Sequence, residues 1–373
     1  MKKIFLMLMV VCCVFVTGCF GKDNNSALKD IRKKYENLKA YQLTGNLEIL
    51  NNDDVYNYDV KVIYQKKDKF YVSLKNLNNN HEQIILKNED GVYVLTPSLN
   101  KSFKFQSDWP YNNSQVYLIQ SILDDILDDE ERNLVSDDNG YIFTTSVNYP
   151  NNRKLVKQIV TFDKKLNLKK VSVVDENNIS QMTMTFATID LSPTVNSDTF
   201  DLNKIMGTTE NSTGNSSNNT TENNTDNNTT ENNTDNNIKD NNQTSTDNKE
   251  NNSNQTTSTL EDVIYPLYIP TGTSLTSQEK INKTDGERVI MTFEGEKPFL
   301  LVEETSSVEK EFSIIPTYGE PYLLIDTVGA LTDSSITWSS NGVDYYLVSD
   351  VMSQNELIDI ARSVSVVPTM NQK

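Results

Sequence analysis

Residues 208–258 are almost entirely Asn, Thr, Ser, Asp and Glu, and Ile238 is the one large apolar side chain among them. The nonapeptide NNTTENNTD occurs there twice in succession, at Asn218–Asp226 and Asn227–Asp235. A segment of this composition cannot bury enough apolar surface to offset the entropy lost on ordering it. It is expected to be a disordered linker, with ends about 40 Å apart on average. Asn/Thr repeats can favour β-aggregation, but regularly spaced acidic residues oppose it, so the segment reads as a spacer. The rest of the chain must therefore fold as two units, 19–207 and 259–373.

The amino terminus is a different kind of segment. Lys2 and Lys3 precede an uninterrupted apolar run from Ile4 to Val16. At about 13 residues this run is shorter than the roughly 20 that span a bilayer. Its basic start and small residues before a cysteine fit a secretion signal over 1–18. Val16-Thr17-Gly18-Cys19 resembles the lipobox of bacterial lipoproteins. That resemblance implies a diacylglyceryl group on Cys19, cleavage before it, and an anchor on the extracytoplasmic face of the cell membrane. Two acyl chains hold far more firmly than one, since each buried methylene contributes about 0.8 kcal/mol. Cys12 and Cys13 would leave with the signal, so the mature chain would keep neither a disulfide nor a free thiol.

The net charge of −18 is unevenly spread: residues 20–207 carry 23 basic and 26 acidic groups, and 259–373 carry 7 and 18. This acidity argues against a nucleic-acid partner and against electrostatic docking on anionic lipid. The single histidine, His81, removes multi-histidine metal sites and reads as an exposed turn residue in Asn78–Glu82. Asp124, Asp125, Asp128, Asp129, Glu130 and Glu131 lack the spacing of a calcium loop and read as a solvated helix end. No Gly-rich phosphate loop, nucleophile elbow or paired-carboxylate motif stands out. No catalytic residue, metal ligand or cofactor is assigned, and an enzyme is not expected.

In the first unit, Ser26 caps an expected helix whose Leu28, Ile31, Tyr35 and Leu38 share a face. Period-two runs follow: Tyr41, Leu43, Gly45, Leu47 and Ile49, then Tyr56, Tyr58, Val60, Val62 and Tyr64. Further strands are expected at 70–77, 83–86, 92–95 and 102–105. A second helix spans 114–129, and strands return at 141–147, 155–162, 169–175 and 181–191. An antiparallel sheet of this length must curl, and the two helices are the available cover. The second unit has expected strands at 288–293, 299–305, 322–327, 335–338 and 344–348. An Asn341-Gly342 hairpin turn precedes the last strand, and a final helix starts at Ser353 with Glu356 completing a capping box. The fold class is α+β: a curved antiparallel β half-barrel covered by helices, then a small α+β unit.

The order of elements in 22–205 resembles the half-barrel of the lipoprotein-carrier superfamily, which includes LolA, LolB and the amino-terminal domain of RseB and MucB. The continuous stretch Gly91-Val92-Tyr93-Val94-Leu95-Thr96-Pro97-Ser98-Leu99-Asn100-Lys101-Ser102-Phe103-Lys104-Phe105, continuing Gln106-Ser107-Asp108-Trp109-Pro110, is the sharpest match. It is similar to the lipidated LolA-like sporulation and germination proteins of Gram-positive spore formers. Tyr268-Ile269-Pro270, Gly272, Trp338, Gly342, Tyr345 and the final helix resemble a small domain of unknown function found in similar lipoproteins and anti-sigma regulators.

This resemblance implies a cavity on one sheet face that takes an acyl chain, a lipid or an acylated protein, with Trp109 and Tyr93 as candidate ligand-binding residues. Alternation alone does not separate such a cavity from a packed core. A chain tethered at Cys19 is excluded from acting as a diffusing shuttle. Two functions stay open: a fixed receptor or chaperone for an apolar ligand, and an RseB-like regulator that contacts a membrane-protein partner. The spacer is expected to leave the second unit free to range.

Overall fold

Alternating apolar residues build a long antiparallel meander, and the computed structural model describes it within residues 24–51, 54–150, 152, 154–213, 260 and 262–364. Cys19, the expected signal over 1–18 and nearly all of the spacer lie outside the described residues. The chain opens with helix α1 (Asn24–Tyr35) and continues into β1 (Ala40–Asn51), β2 (Asp54–Gln65), β3 (Lys69–Asn76), β4 (Glu82–Asn88), β5 (Gly91–Thr96) and β6 (Lys101–Phe105). Helix α2 (Ile119–Asp128) precedes β7 (Asn133–Ser136), β8 (Gly140–Ser146), β9 (Lys157–Asp163), β10 (Leu168–Val174) and β11 (Ser180–Asp190). Helix α3 (Leu202–Thr213) ends the first unit.

The second unit holds β12 (Thr273–Lys283), β13 (Gly286–Gly295), β14 (Phe299–Thr305), β15 (Ser313–Thr317), β16 (Glu320–Leu323), β17 (Val328–Leu331), β18 (Ser335–Ser340) and β19 (Val343–Val348), then helix α4 (Gln354–Ser363).

Eleven strands of the first unit lie in the order β6-β5-β4-β3-β2-β1-β11-β10-β9-β8-β7, an open half-barrel whose ends do not meet. Its inner face carries Tyr41, Leu43 and Leu47 of β1, Tyr58, Val60 and Val62 of β2, and Val92 and Val94 of β5. The α1 residues Ala27 and Ile31 and the α2 residues Ile119, Ile122, Leu123 and Ile126 pack on that face. At Gly45 the β1–β11 register shifts, and an added Cβ would lie 2.2 Å from the Thr185 carbonyl oxygen, so only glycine fits. The outer face is also covered in part. Ile84, Leu86, Tyr93 and Leu95 are buried there against Phe200 and the α3 residue Met206.

Several boundaries differ from the sequence reading. Ser26 lies inside α1 rather than capping it. Helix α2 begins at Ile119, not 114, because the preceding residues are pinned elsewhere. The Ser114 amide donates to Asn148 O at 2.8 Å and the Gln115 amide to Ser121 Oγ at 2.7 Å. The expected spacer starts late, since α3 continues to Thr213. Strands β7 and β12 have weak alternation and were not expected; β12 is exposed along nearly its whole length. In place of one strand over 322–327, β16 and β17 form an antiparallel pair turned at residues 324–327. The Asn341-Gly342 turn has φ of 49° and 79°, as a two-residue hairpin turn requires. The capping box of Ser353 and Glu356 is present at α4.

The largest difference concerns the second unit, which is docked rather than free. Its β15 adds to the half-barrel as a twelfth strand, parallel to β6 with Ser313 beside Lys101 and Thr317 beside Phe105. Val328 and Ala330 of β17 belong to the same apolar core as the half-barrel. Across the seam, the Tyr58 hydroxyl donates to Ile325 O at 2.7 Å and the Val328 amide to Gln83 Oε1 at 2.6 Å. A spacer's length limits how far a unit can reach, while buried contacts decide where it rests. The remaining strands of the unit form their own sheet, β12-β13-β14-β19-β18-β17-β16, with α4 against one face.

Candidate functional site

The inner face of the half-barrel is filled at its centre and hollow at one end. At the centre sits Trp109, 1% exposed, edge-on to Phe70 with ring centroids 5.8 Å apart. Lys87 Nζ donates to its carbonyl at 2.8 Å. The space left beside Trp109, Tyr117, Tyr149 and Tyr322 is about 50 Å³, well below the roughly 300 Å³ at which ligand pockets begin. Tyr93 points the opposite way, into the outer-face cluster under α3. The two residues that the sequence reading offered for ligand binding therefore do not share a cavity. Strand alternation explains this: Tyr93 lies between the inner-facing Val92 and Val94.

At the β6 end the helices stop and the second unit forms a roof. Between them runs a crevice of about 360 Å³, within the ligand-pocket range. Its floor is the inner-facing row of β6, Lys101, Phe103 and Phe105, with Val94 of β5. Pro316 and Tyr318 close one side, and Tyr346 and Asp344 of β19 hang from above. Lys101 is 5% exposed, and its ammonium lies 3.5 Å from Asp344 Oδ2 across the seam. The other Asp344 oxygen accepts the Ser339 hydroxyl proton. The Gly91–Pro110 match contains Lys101 but gives it no role. A lysine at an inner-facing position of an apolar strand was the available signal.

A second, polar groove of about 500 Å³ follows the carboxyl end of α2, lined by Tyr111, Asp124, Asp125, Asp128, Asp129 and Glu130 among others. Asp124, Asp128 and Glu130 are exposed, as expected of a solvated helix end, but Asp125 is not. Burial, aided by the neighbouring Asp124 and Asp128 charges, pushes the Asp125 carboxyl up to about 7, although Ser114 and Gln158 each donate a hydrogen bond to it at 3.0 Å. Among the described residues no group of His, Cys, Asp and Glu is placed to hold a metal ion.

Two further buried acids lie in the second unit. Glu303 faces its core and accepts the Ile264 amide at 3.1 Å through both oxygens, and burial raises its pKa to about 7. Asp326 is also shifted upward by burial, with the Ser340 hydroxyl donating to it. It lies at the seam, where its charge acts on His81. His81 is not an exposed turn residue: it is half-buried, and burial lowers its pKa while the Asp326 charge opposes that shift. Its Nδ1 lies 3.4 Å from Ser98 Oγ.

Among the described residues no helix is long and apolar enough to cross a membrane. No family model matches the chain. Among solved structures it is similar to the MucA/MucB complex of Pseudomonas aeruginosa, at 10% identity and a TM-score of 0.30, over 90% of this chain and 97% of that one. It is also similar to a putative outer membrane lipoprotein-sorting protein domain from Vibrio parahaemolyticus, at 9% identity and a TM-score of 0.26, over 48% of this chain and 97% of that one. The half-barrel description stands on the chain's own strand order and register. The sporulation protein YdcC of Bacillus subtilis (strain 168) is 30% identical over 366 residues, covering 97% of each chain. The chain belongs to the family of that sporulation protein.

Proposed function

We propose that this chain is a non-catalytic binding protein of the extracytoplasmic membrane surface, held there by a diacylglyceryl group on Cys19 and serving sporulation or germination. The crevice between β6 and the roof formed by β17–β19 is its binding site. The observation that carries this reading is the contrast along one sheet face. The centre, where an acyl chain would lie in a carrier, is packed with Trp109 and α2, whereas the β6 end keeps about 360 Å³. A small ligand with an apolar body therefore fits better than a long acyl chain. Native mass spectrometry of the full chain extracted from membranes tests this. A diacylglyceryl mass on a chain beginning at Cys19, together with a bound small molecule, is the expected result. An unmodified cysteine rejects the anchor, and a chain free of any ligand rejects the binding role.

The regulator reading is favoured by a different observation. The face of the second sheet turned away from α4 carries a row of apolar side chains, Leu300, Tyr346 and Val348 exposed and Ile290 and Val302 partly so. Such a row suits a protein partner. Photo-crosslinking from position 300 in intact cells separates the readings, because a regulator yields a discrete membrane-protein adduct there and a ligand receptor does not.

A further inference from the structure

Lys101 brings an ammonium, with three donors, to the wall of the crevice. Its ion pair across the seam is the 3.5 Å approach to Asp344, so an entering ligand can take up donors that Asp344 does not. Both charges face a crevice whose other walls are largely apolar and aromatic: Phe103, Phe105, Pro316, Tyr318 and Tyr346.

The sign and spacing of these groups constrain what can enter. A monoanion that satisfied Lys101 would meet the Asp344 carboxylate, and a monocation that satisfied Asp344 would meet Lys101. A ligand carrying both charges a few ångströms apart meets each with its opposite and leaves the site neutral. The α-ammonium and α-carboxylate of a free amino acid are both bonded to one carbon and so have this spacing. In a peptide the termini are separated by at least one further residue, about 3.8 Å more along the chain. The apolar walls then favour an apolar or aromatic side chain.

We propose that the crevice binds a free α-amino acid with an aromatic or large apolar side chain, its carboxylate on Lys101 and its ammonium on Asp344. This rests on the reading of the crevice as the binding site and names the ligand class for it. Binding inserts two ion pairs where one long pair stood, and it does so across the seam between β6 and β19. Occupancy therefore ties the two units together.

Isothermal titration calorimetry of the full chain in lipid nanodiscs tests this with four probes: phenylalanine, 3-phenylpropionate without the ammonium, phenethylamine without the carboxylate, and diphenylalanine with separated termini. Phenylalanine should bind, and each of the others should bind about tenfold or more weakly, the loss of roughly one charge-assisted hydrogen bond. Lys101→Met and Asp344→Asn should each lose phenylalanine while keeping a cooperative thermal transition. The probe series on the unaltered chain decides the matter even where a variant does not fold. Equal binding of phenylpropionate and phenylalanine overturns the proposal, as does the absence of heat with phenylalanine. A fluorescent apolar dye that binds the crevice but is not displaced by amino acids would leave the binding site standing and remove this ligand class.

Discussion

Gln83 of β4 and Val328 of β17 hold each other in both directions across the seam. The Val328 amide donates to Gln83 Oε1 at 2.6 Å, and Gln83 Nε2 lies 3.4 Å from the Val328 carbonyl oxygen. The Thr327 hydroxyl also reaches Gln83 Oε1, at 3.1 Å. Gln83→Leu leaves the buried Val328 amide without its acceptor, at a cost of about 2 kcal/mol. Hydrogen exchange should rise selectively at 324–331 while β1–β3 keep their protection. Uniform exchange across both units would contradict a seam that opens on its own.

His81 offers a spectroscopic view of that seam, since it is the one histidine in the chain. Burial favours its neutral form, so the folded protein takes up this proton at a lower pH than the unfolded chain does. The contribution of this group to stability is therefore lost as pH falls below about 6.5. The single imidazole resonance should titrate below that value, and Asp326→Asn should move it lower still by removing the opposing charge. Titration at or above about 6.5 would mean that the histidine is solvated.

Glu303 and Asp125 act in the opposite sense. Each has a folded-state pKa of about 7, above its ordinary carboxylate value, so the folded state holds protons that the unfolded chain releases. Stability from these groups is greatest at low pH and falls as pH rises to about 7, from 3.8 for Asp125 and 4.5 for Glu303. Glu303→Gln keeps an acceptor for the Ile264 amide and removes the buried charge. It should raise stability at pH 8 by about 1 kcal/mol and flatten the slope of stability between pH 5 and 7 in urea unfolding. An unchanged slope would assign it to other groups.

Trp109 distinguishes packing from a lid. It is almost fully buried against Phe70, with a void of only about 50 Å³ beside it. Trp109→Ala should cost about 3–5 kcal/mol, the range for truncating a large core aromatic. A ligand lid would instead lose affinity and leave the unfolding midpoint nearly unchanged.

The half-barrel was legible because its strands alternate strongly: Tyr41, Leu43, Leu47 and Ile49 on β1 and Tyr58, Val60 and Val62 on β2 all face the core. The α4 capping box was legible for the same local reason. The crevice was not, because it forms where Lys101 and Asp344 meet, and their approach depends on docking of the second unit. Periodicity reports which face a residue takes, and not what a distant segment lays upon it. Tyr93 and Trp109 show the same limit: motif proximity grouped them, while the pleat turned Tyr93 to the outer face and the loop after β6 laid Trp109 in the inner core.

The parallel pairing of β15 with β6 also sets an order of events during biogenesis. A chain that emerges amino terminus first delivers Lys101 about 210 residues before it delivers Ser313. Until then β6 is a bare margin, with backbone donors and acceptors open to any stray strand. When β15 arrives, the margin moves outward to a strand in which Pro316 has no amide hydrogen to offer. The newborn protein is thus most adhesive in its middle age, and its late-made segment ends that exposure.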